Sequence, residues 1–443
     1  MSAENRLKER FRIMHFQNHF VSERKDNFRL LFYAALVGVL SGLVAVLYRY
    51  AIAWSDSLRG LVIGGLTGPL PIVLFFAGLV LLALLVGKIT EGEPLIKGSG
   101  IPQVEGQIHG HFHPCWWKVL VKKFIGGALC IVAGLSLGRE GPSIQLGAMA
   151  GQGACELTKR NQDESRYLIV CGACAGLAAA FNAPLAGVMF ALEEVHRRFS
   201  GRAVFPAMVA AISADLVSKA FFGVDATLHM EFAGSVPYRY YIVFALIGVV
   251  MGAFSTLYNK VLLWGQKLYG KLKCSLTVRM VIPFVCAGIL ALVMPEALGG
   301  GHNIIESVVD GHYGLKALLL VLAVKFVFSM ISFCSGAPGG IFFPMLVLGS
   351  LVGGLMGMGA IELLGLPEEY MLYCILMGMA GMFAGVVRAP LTGILLVVEM
   401  SGSLNQLAGV TVVACVACLV GILLKNAPIY ESLLENMLPK KAE

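Results

Sequence analysis

The chain has 443 residues, of which 57% are hydrophobic and only 14% are charged. A soluble domain carries about a quarter charged residues, so this composition, with a mean hydropathy of +0.79, excludes an ordinary soluble protein and predicts a polytopic membrane protein. The formal net charge of +7 predicts no nucleic-acid partner, because the basic residues gather in short connecting segments, as is typical of membrane proteins.

The first element is a charged N-terminal segment, residues 1–29, which holds seven Lys or Arg residues against four Asp or Glu residues. It lacks the apolar stretch of a signal peptide. The excess of basic residues predicts that this segment stays in the cytoplasm and that the first span runs outward.

Apolar runs long enough to span a bilayer follow along the chain. The first covers residues 30–48 and carries no charge. Similar or nearly similar runs are 70–87, 203–221, 240–258, 280–295 and 408–424. They predict a multi-pass protein embedded in a lipid bilayer.

An internal repeat organises these spans. Three pairs of segments match in the same order, at offsets that grow from about 201 to 206: 98–106 with 299–307, 142–151 with 344–353, and 182–194 with 388–400. They predict two membrane repeats, 30–222 and 236–430, followed by a short cytoplasmic tail, 431–443. Such halves are typical of secondary transporters, whose substrate site lies between the repeats. The residues alone leave open whether the halves are parallel or inverted.

Three breaks in the apolar pattern share one form, a glycine-rich stretch followed by proline and an apolar run. They are "GSGIP" (98–102), "GREGP" (138–142) and "GGIFFP" (339–344). Proline favours the first helical position, so each break predicts a helix start inside the membrane, with free amides that attract anions. One helix end contributes at most about 2 kcal/mol, so several must converge on an anion. The alternative is helix-packing glycine with ordinary kinks.

Other patterns could be taken as metal or catalytic sites. Cys171 and Cys174 are three apart, as are Cys415 and Cys418, but small residues at helical spacing more often pack helices. The loop side chains His109, His111, His113 and Cys115 alternate, which is weak evidence for a metal site. No nucleophile motif, phosphate loop or HExxH motif occurs. We therefore expect no metal, no cofactor and no enzymatic activity.

The three breaks, in this order and followed by a late tyrosine in "APIYESL", resemble the signature regions of the CLC family of chloride channels and chloride/proton antiporters. The resemblance extends from about residue 30 to residue 430. It implies an all-α membrane fold built from two inverted-topology repeats of tilted, interrupted helices. It also implies a homodimer with one pore in each subunit.

The resemblance implies a chloride site as well. Ser99 and Tyr430 would offer hydroxyl groups to the anion, and the backbone amides of Ile341 and Phe342 would complete its cradle. Taken alone, Tyr430 would more often be an aromatic residue at the membrane interface.

Two acids are implied to carry protons. Glu140 of "GREGP" matches the gating glutamate of the family, which leaves the anion path when it is protonated. Glu194 matches the internal proton-transfer glutamate of the antiporters, although Glu193 with Arg197 and Glu194 with Arg198 could instead be helix-surface ion pairs. The resemblance also points to a structural pair between Arg139 and Glu105.

These features predict a proton-coupled chloride antiporter, whose substrates are chloride and protons. The alternative is a passive chloride channel of the same fold, gated by voltage or pH, which would not require Glu194. The serine of "GSGIP" favours chloride over nitrate, and the intact motifs argue against the fluoride-exporting branch. The chain stops soon after Tyr430, which leaves no room for the paired cytoplasmic nucleotide-binding domains of many eukaryotic members of the family. We therefore expect a bacterial protein of the cell inner membrane.

Overall fold

The computed structural model describes residues 3–197 and 201–438, apart from 226, 229, 231, 233 and 235. Side chains are described from residue 28 onward, except at 163 and 201. The predicted all-α fold is confirmed, since the described chain is helical and its β-type pairing is limited to one isolated bridge between Gly138 and Gly340.

The first half consists of α1 (Ala3–Gly64), α2 (Pro69–Glu91), α3 (Ile101–Ile108), α4 (Trp116–Val132), α5 (Glu140–Leu157), α6 (Gln162–Phe181), α7 (Pro184–Phe190) and α8 (Gly201–Phe222). A π-helical turn, Ala191–Val195, continues α7. Helix α3 starts at a proline-containing first turn after a left-handed glycine, Gly100, as the "GSGIP" pattern predicts.

The second half consists of α9 (Tyr241–Lys271), α10 (Leu276–Arg279), α11 (Val281–Val293), α12 (His302–Val309), α13 (Leu315–Cys334), α14 (Phe342–Leu364), α15 (Met371–Val387), α16 (Pro390–Ser401), α17 (Leu407–Leu423) and α18 (Ile429–Met437). Within the described residues, 10 helical segments are long and apolar enough to cross a membrane. The protein is therefore a multi-pass membrane protein.

Apolar runs alone did not indicate the central spans. The most apolar stretches of α6, α14 and α15 are 78%, 72% and 89% buried inside the protein. These helices contact other helices more than lipid, so glycine and alanine replace many of the large apolar residues that hydropathy detects.

Close glycine contacts hold these central helices together. Helix α5 crosses α6 where Gly147 meets Gly172, and α14 crosses α15 where Gly349 meets Gly378. A side chain at Gly147 or Gly378 would overlap the carbonyl oxygen of the facing glycine. The same crossing thus occurs once in each half, at the offsets of the sequence repeat.

A reciprocal contact shows how the halves are related. Glu193, just after α7, accepts a hydrogen bond from the Thr392 amide at the start of α16 (2.8 Å). Glu399, near the end of α16, accepts one from the Ala186 amide at the start of α7 (2.7 Å). The end of each helix therefore contacts the start of the other, so α7 and α16 are antiparallel. This arrangement relates the two halves by a two-fold axis. The inverted-repeat prediction is confirmed.

Candidate functional site

Backbone hydrogen bonds join the three glycine-rich breaks at the centre of the protein. Gly138 and Gly340 exchange amide-to-carbonyl bonds of 2.7 and 2.8 Å. The Gly339 amide donates to the carbonyl of Gly98 (2.9 Å). The starts of α3, α5 and α14 therefore meet in one place, although they lie up to about 240 residues apart in the sequence. Their free amides form a shared anion-attracting centre.

The loop before α3 presents Ser99. Its side chain is 2% exposed, and its hydroxyl oxygen accepts a hydrogen bond from the Ile101 amide (3.3 Å). The hydroxyl hydrogen thus remains able to donate to an anion. Gly98 and Gly100 flank it with φ angles of 60° and 92°, which a residue with a side chain rarely adopts.

A buried lysine fixes this loop. Lys123 on α4 is 0% exposed and donates to the carbonyls of Ile96 (2.9 Å) and Gly98 (2.6 Å). Lys325 on α13 is also 0% exposed and does the same for Ala297 (3.0 Å) and Gly299 (2.6 Å).

Sequence reasoning missed both lysines. The available signal was a lysine in each of two largely apolar segments, at positions separated by the offset of the repeat, since lysine in a membrane helix is costly and marks a role.

The remaining predicted anion ligands lie at the opposite side of this centre. Ile341 and Phe342, at the start of α14, are 1% and 0% exposed. Tyr430 on α18 is 0% exposed, and the edge of its ring packs on Phe190 with the centroids 6.3 Å apart. Its hydroxyl has no hydrogen-bond partner among the described residues, so it is available as a donor.

Glu140 is the first residue of α5 and is 1% exposed. Its carboxylate faces its own backbone amide and that of Phe343, and its Oε2 atom has no partner meeting hydrogen-bond geometry in the described part of the chain. Gly138 lies directly against this oxygen and leaves room for it only because it has no side chain. Glu140 thus lies at a helix N-terminus, which favours a carboxylate or another anion.

A cavity of about 680 Å³ leads to Glu140. Its lining includes Arg49, Arg59, Arg139 and His302. The three arginines share this lining with three acids besides Glu140, namely Asp56, Asp225 and Glu296, so their positive charge is offset. Asp56 pairs with Arg59 (2.8 Å).

The predicted pair between Arg139 and Glu105 is wrong. Arg139 precedes α5 and lies beside Glu140, with Nε 3.7 Å from Oε1. Glu105 lies on α3, in the turn beyond the glycine-rich loop, and pairs instead with Arg197 (3.2 Å). The two side chains are held at different parts of the pathway because α3 leads away from the centre where α5 begins.

Glu194 lies in the π-helical turn after α7 and is 4% exposed. Its Oε1 atom has no hydrogen-bond partner within the described residues and lies 3.8 Å from Arg197 Nη2. The alternative pair of Glu193 with Arg197 is wrong, because Glu193 accepts from α16. The alternative partner Arg198 lies outside the described residues.

The candidate metal patterns are not assembled in the structure. Among the described residues, no three His, Cys, Asp or Glu side chains are placed to hold a metal ion. His109 uses its Nδ1 atom in a contact with the Glu105 carbonyl (2.8 Å), and Cys174 packs on α8, with its Sγ 3.4 Å from the Ala207 carbonyl.

The chain is similar to known transporters over nearly its whole length. The H(+)/Cl(-) exchange transporter ClcA of Vibrio cholerae serotype O1 (strain M66-2) is 36% identical over 437 residues, covering 95% of this chain and 92% of that protein. The transporter of the same name from Salmonella schwarzengrund (strain CVM19633) is 35% identical over 437 residues, covering 94% of this chain and 90% of that protein.

Solved structures agree. A slow cyanobacterial Cl-/H+ antiporter superposes with a TM-score of 0.88 at 31% identity, covering 93% of this chain and 99% of that one. A eukaryotic CLC transporter, at 23% identity, shares the fold with a TM-score of 0.76, over 92% of this chain and 74% of that one. The family model described as voltage gated chloride channel matches residues 78–421. With three matching motifs, inverted repeats and these similarities, the chain belongs to the CLC family.

Proposed function

We propose that this protein is a proton-coupled chloride antiporter, which exchanges chloride for protons across a membrane. One observation carries the proposal. Two buried carboxylates lie on the elements around the predicted chloride donors. Glu140 begins α5 at the converging helix starts and is 1% exposed. Glu194 follows α7, whose Phe190 packs on Tyr430, and is 4% exposed. The relatives named as exchange transporters and the similar antiporter structure support the same function.

The anion site is built from weak donors. The hydroxyls of Ser99 and Tyr430 and the amides at Ile341 and Phe342 are neutral, so they replace water around chloride without the tight binding that a full positive charge would give. Loose binding at several positions lets the ion leave as well as enter. Ser99 supports chloride over nitrate as the physiological anion.

Glu140 acts as the gate. Its carboxylate faces its own amide and that of Phe343, next to the Ile341 and Phe342 amides assigned to chloride, so the two anions compete for neighbouring donors at the starts of α5 and α14. Protonation removes the negative charge that holds the side chain there, so the acid form leaves and the anion takes its place. One residue thereby links proton uptake to chloride movement.

Glu194 carries the proton between Glu140 and the other side of the membrane. It is buried, and its free Oε1 atom can receive a proton. A passive channel would have no use for a buried carboxylate here, since such a group is costly within a membrane protein.

The assembly and location follow the family and the charge pattern. We propose a homodimer in the bacterial inner membrane, with residues 1–29 and 431–443 on the cytoplasmic side, because basic residues gather in the N-terminal segment. Transport requires no cofactor, no enzymatic step and no nucleic acid in this proposal.

The test is a reconstituted flux assay that follows both ions. Vesicles with the wild-type protein and a chloride gradient should drive protons against their own gradient. The Glu194→Gln variant should move chloride without protons, because the amide cannot exchange a proton. If wild-type vesicles move chloride but pump no protons, the passive channel replaces the antiporter.

A further inference from the structure

Glu194 belongs to a cluster of four charged side chains, which also contains Arg197, Glu105 and Glu431. Arg197 follows the π-helical turn with a left-handed φ of 53°. Its guanidinium lies 3.2 Å from Glu105, 3.3 Å from Glu431 and 3.8 Å from Glu194. Its Nε also donates to the backbone carbonyl of Glu194 (3.2 Å). One arginine therefore joins three carboxylates from three separate parts of the chain.

The charges in this cluster do not balance when every acid is ionised. Among the described residues, the ion pairs of this cluster place one guanidinium, that of Arg197, against three carboxylates. The side chains of Glu105 and Glu194 are only 3% and 5% exposed. Each of these two acids also has one oxygen without a hydrogen-bond partner in the described chain. An uncompensated buried charge is unfavourable, so the cluster is suited to holding at least one proton.

Access to solvent differs across the cluster. The side chain of Glu431 is 42% exposed and that of Arg197 is 33% exposed, whereas Glu194 is nearly sealed. Glu431 is also the residue after Tyr430, so it stands next to a predicted chloride ligand. Within this cluster, water therefore reaches Glu431 and not Glu194.

We propose that Glu431 is the entry of the proton path to Glu194 and that Arg197 is the positioning residue that holds the two acids on one guanidinium. The inference rests on the proposed antiport function. Glu431 takes a proton from a solvent hydronium, whose O–H bond breaks as the carboxyl O–H forms. The proton then passes through an intervening water to Glu194, where a new O–H forms and Glu431 returns to its carboxylate. Arg197 keeps its own protons throughout.

A merely structural Arg197–Glu431 pair would clamp α18 but would leave proton supply unchanged. The charged groups that face Glu431 are Arg197 and, on the elements around it, Glu105 and Glu194, with Glu193 acting on Glu194 from the next position. A change in proton supply can therefore be separated from a change in folding by measuring how exchange depends on proton concentration.

The first experiment compares Glu431→Gln with Glu435→Gln in vesicles. Glu435 lies one turn further along α18, is exposed and makes no ion pair with a described residue. Glu431→Gln should raise the proton concentration for half-maximal exchange about three- to fivefold, the size typical of a partly exposed ion pair. The maximal rate and the chloride-to-proton ratio should stay near wild type, and Glu435→Gln should change none of these.

The second experiment tests whether Glu431 acts through Arg197. In the Arg197→Met background, Glu431→Gln should add no further change, since coupled residues are not additive. Arg197→Lys should restore part of the proton dependence because it keeps one charge at this position. If Arg197→Met does not fold, the effect of Glu431→Gln should be smaller in the Arg197→Lys background than in the wild type, and an equal effect in both would contradict the coupling.

The outcomes separate the two proposals. If Glu431→Gln matches Glu435→Gln while the wild-type protein pumps protons, the proton entry proposed here is wrong and the antiport function stands. Additive effects of Glu431→Gln and Arg197→Met would also overturn it. If the wild-type protein moves no protons, the antiport function itself is wrong.

Discussion

At the residue scale, Glu140 combines two properties that are difficult to hold together in a membrane protein. It is a carboxylate, and it is 1% exposed. The start of α5 makes this tolerable, because the helix dipole and nearby amides favour a negative group there. The same kind of donor favours chloride, so in the proposed mechanism the residue that closes the path is one that the transported ion can replace.

Replacing this carboxylate should uncouple the two ions. Glu140→Ala removes both the gate and the proton carrier, so we expect passive chloride flux, no proton movement and little dependence on pH. In the wild type, acidification should raise chloride flux, because protonation neutralises the gate. Chloride efflux from vesicles, measured over a series of pH values, is the readout. A pH-dependent, proton-coupled flux in the alanine variant would show that another residue is the gate.

At the element scale, the interrupted helices depend on fixed loops as much as on their own propensity. Helix α3 has only eight residues, too few to be stable alone. Lys123 holds the loop before it through two backbone carbonyls, and Lys325 holds the equivalent loop before α12. The buried ammonium groups are tolerated because they donate to loop carbonyls, which would otherwise lack donors.

Removing this lysine should damage both stability and anion binding. Lys123→Met keeps the length of the side chain but leaves two buried carbonyls without their donor, which costs about 3 kcal/mol or more. Weaker chloride binding should follow, because Ser99 loses its fixed position. Thermal unfolding and chloride titration calorimetry in detergent measure the two effects.

Lys122→Met is the matched control for this change. Lys122 donates to the carbonyl of Gly92 (2.8 Å) at an exposed site, so its loss should change the unfolding temperature little. Equal effects of the two substitutions would contradict the role given to Lys123.

At the scale of the whole molecule, the two-fold relation between the halves places the anion centre where equivalent loops meet. Gly138 and Gly340, which exchange their backbone hydrogen bonds, are equivalent positions of the two repeats. The three converging helix starts and both buried acids belong to a single chain. We therefore expect each subunit of the proposed homodimer to hold its own pathway.

A dimer should accordingly contain two separate pathways. In a linked dimer with one wild-type and one Glu140→Ala subunit, passive chloride efflux should be about half that of a dimer with two Glu140→Ala subunits, as expected of independent units in a symmetric pair. The initial rate of efflux without a proton gradient is measured. One shared pathway would be indicated if the mixed dimer showed either the same efflux as the dimer with two Glu140→Ala subunits or no efflux.

The sequence by itself determined the membrane class, the duplication and the sites of the helix breaks. Composition and apolar runs report the cost of placing side chains in lipid, and the glycine-proline pattern reports where a helix can start. The motifs around Ser99, Glu140 and Tyr430 carried the family resemblance. Each helix break and each motif is local, so it can be read from a short stretch of chain. The duplication follows from comparing such stretches with one another.

The tertiary structure alone decided which distant groups meet. It showed the inverted relation of the repeats through Glu193 and Glu399, and it corrected the partner of Glu105 from Arg139 to Arg197. Helix α6, the least apolar of the 10 spans, escaped prediction because a helix buried among other helices can use small side chains in place of large apolar ones. The partner of a buried charge depends on how helices cross and on where a left-handed residue such as Arg197 redirects the chain, and neither follows from the spacing of residues in sequence.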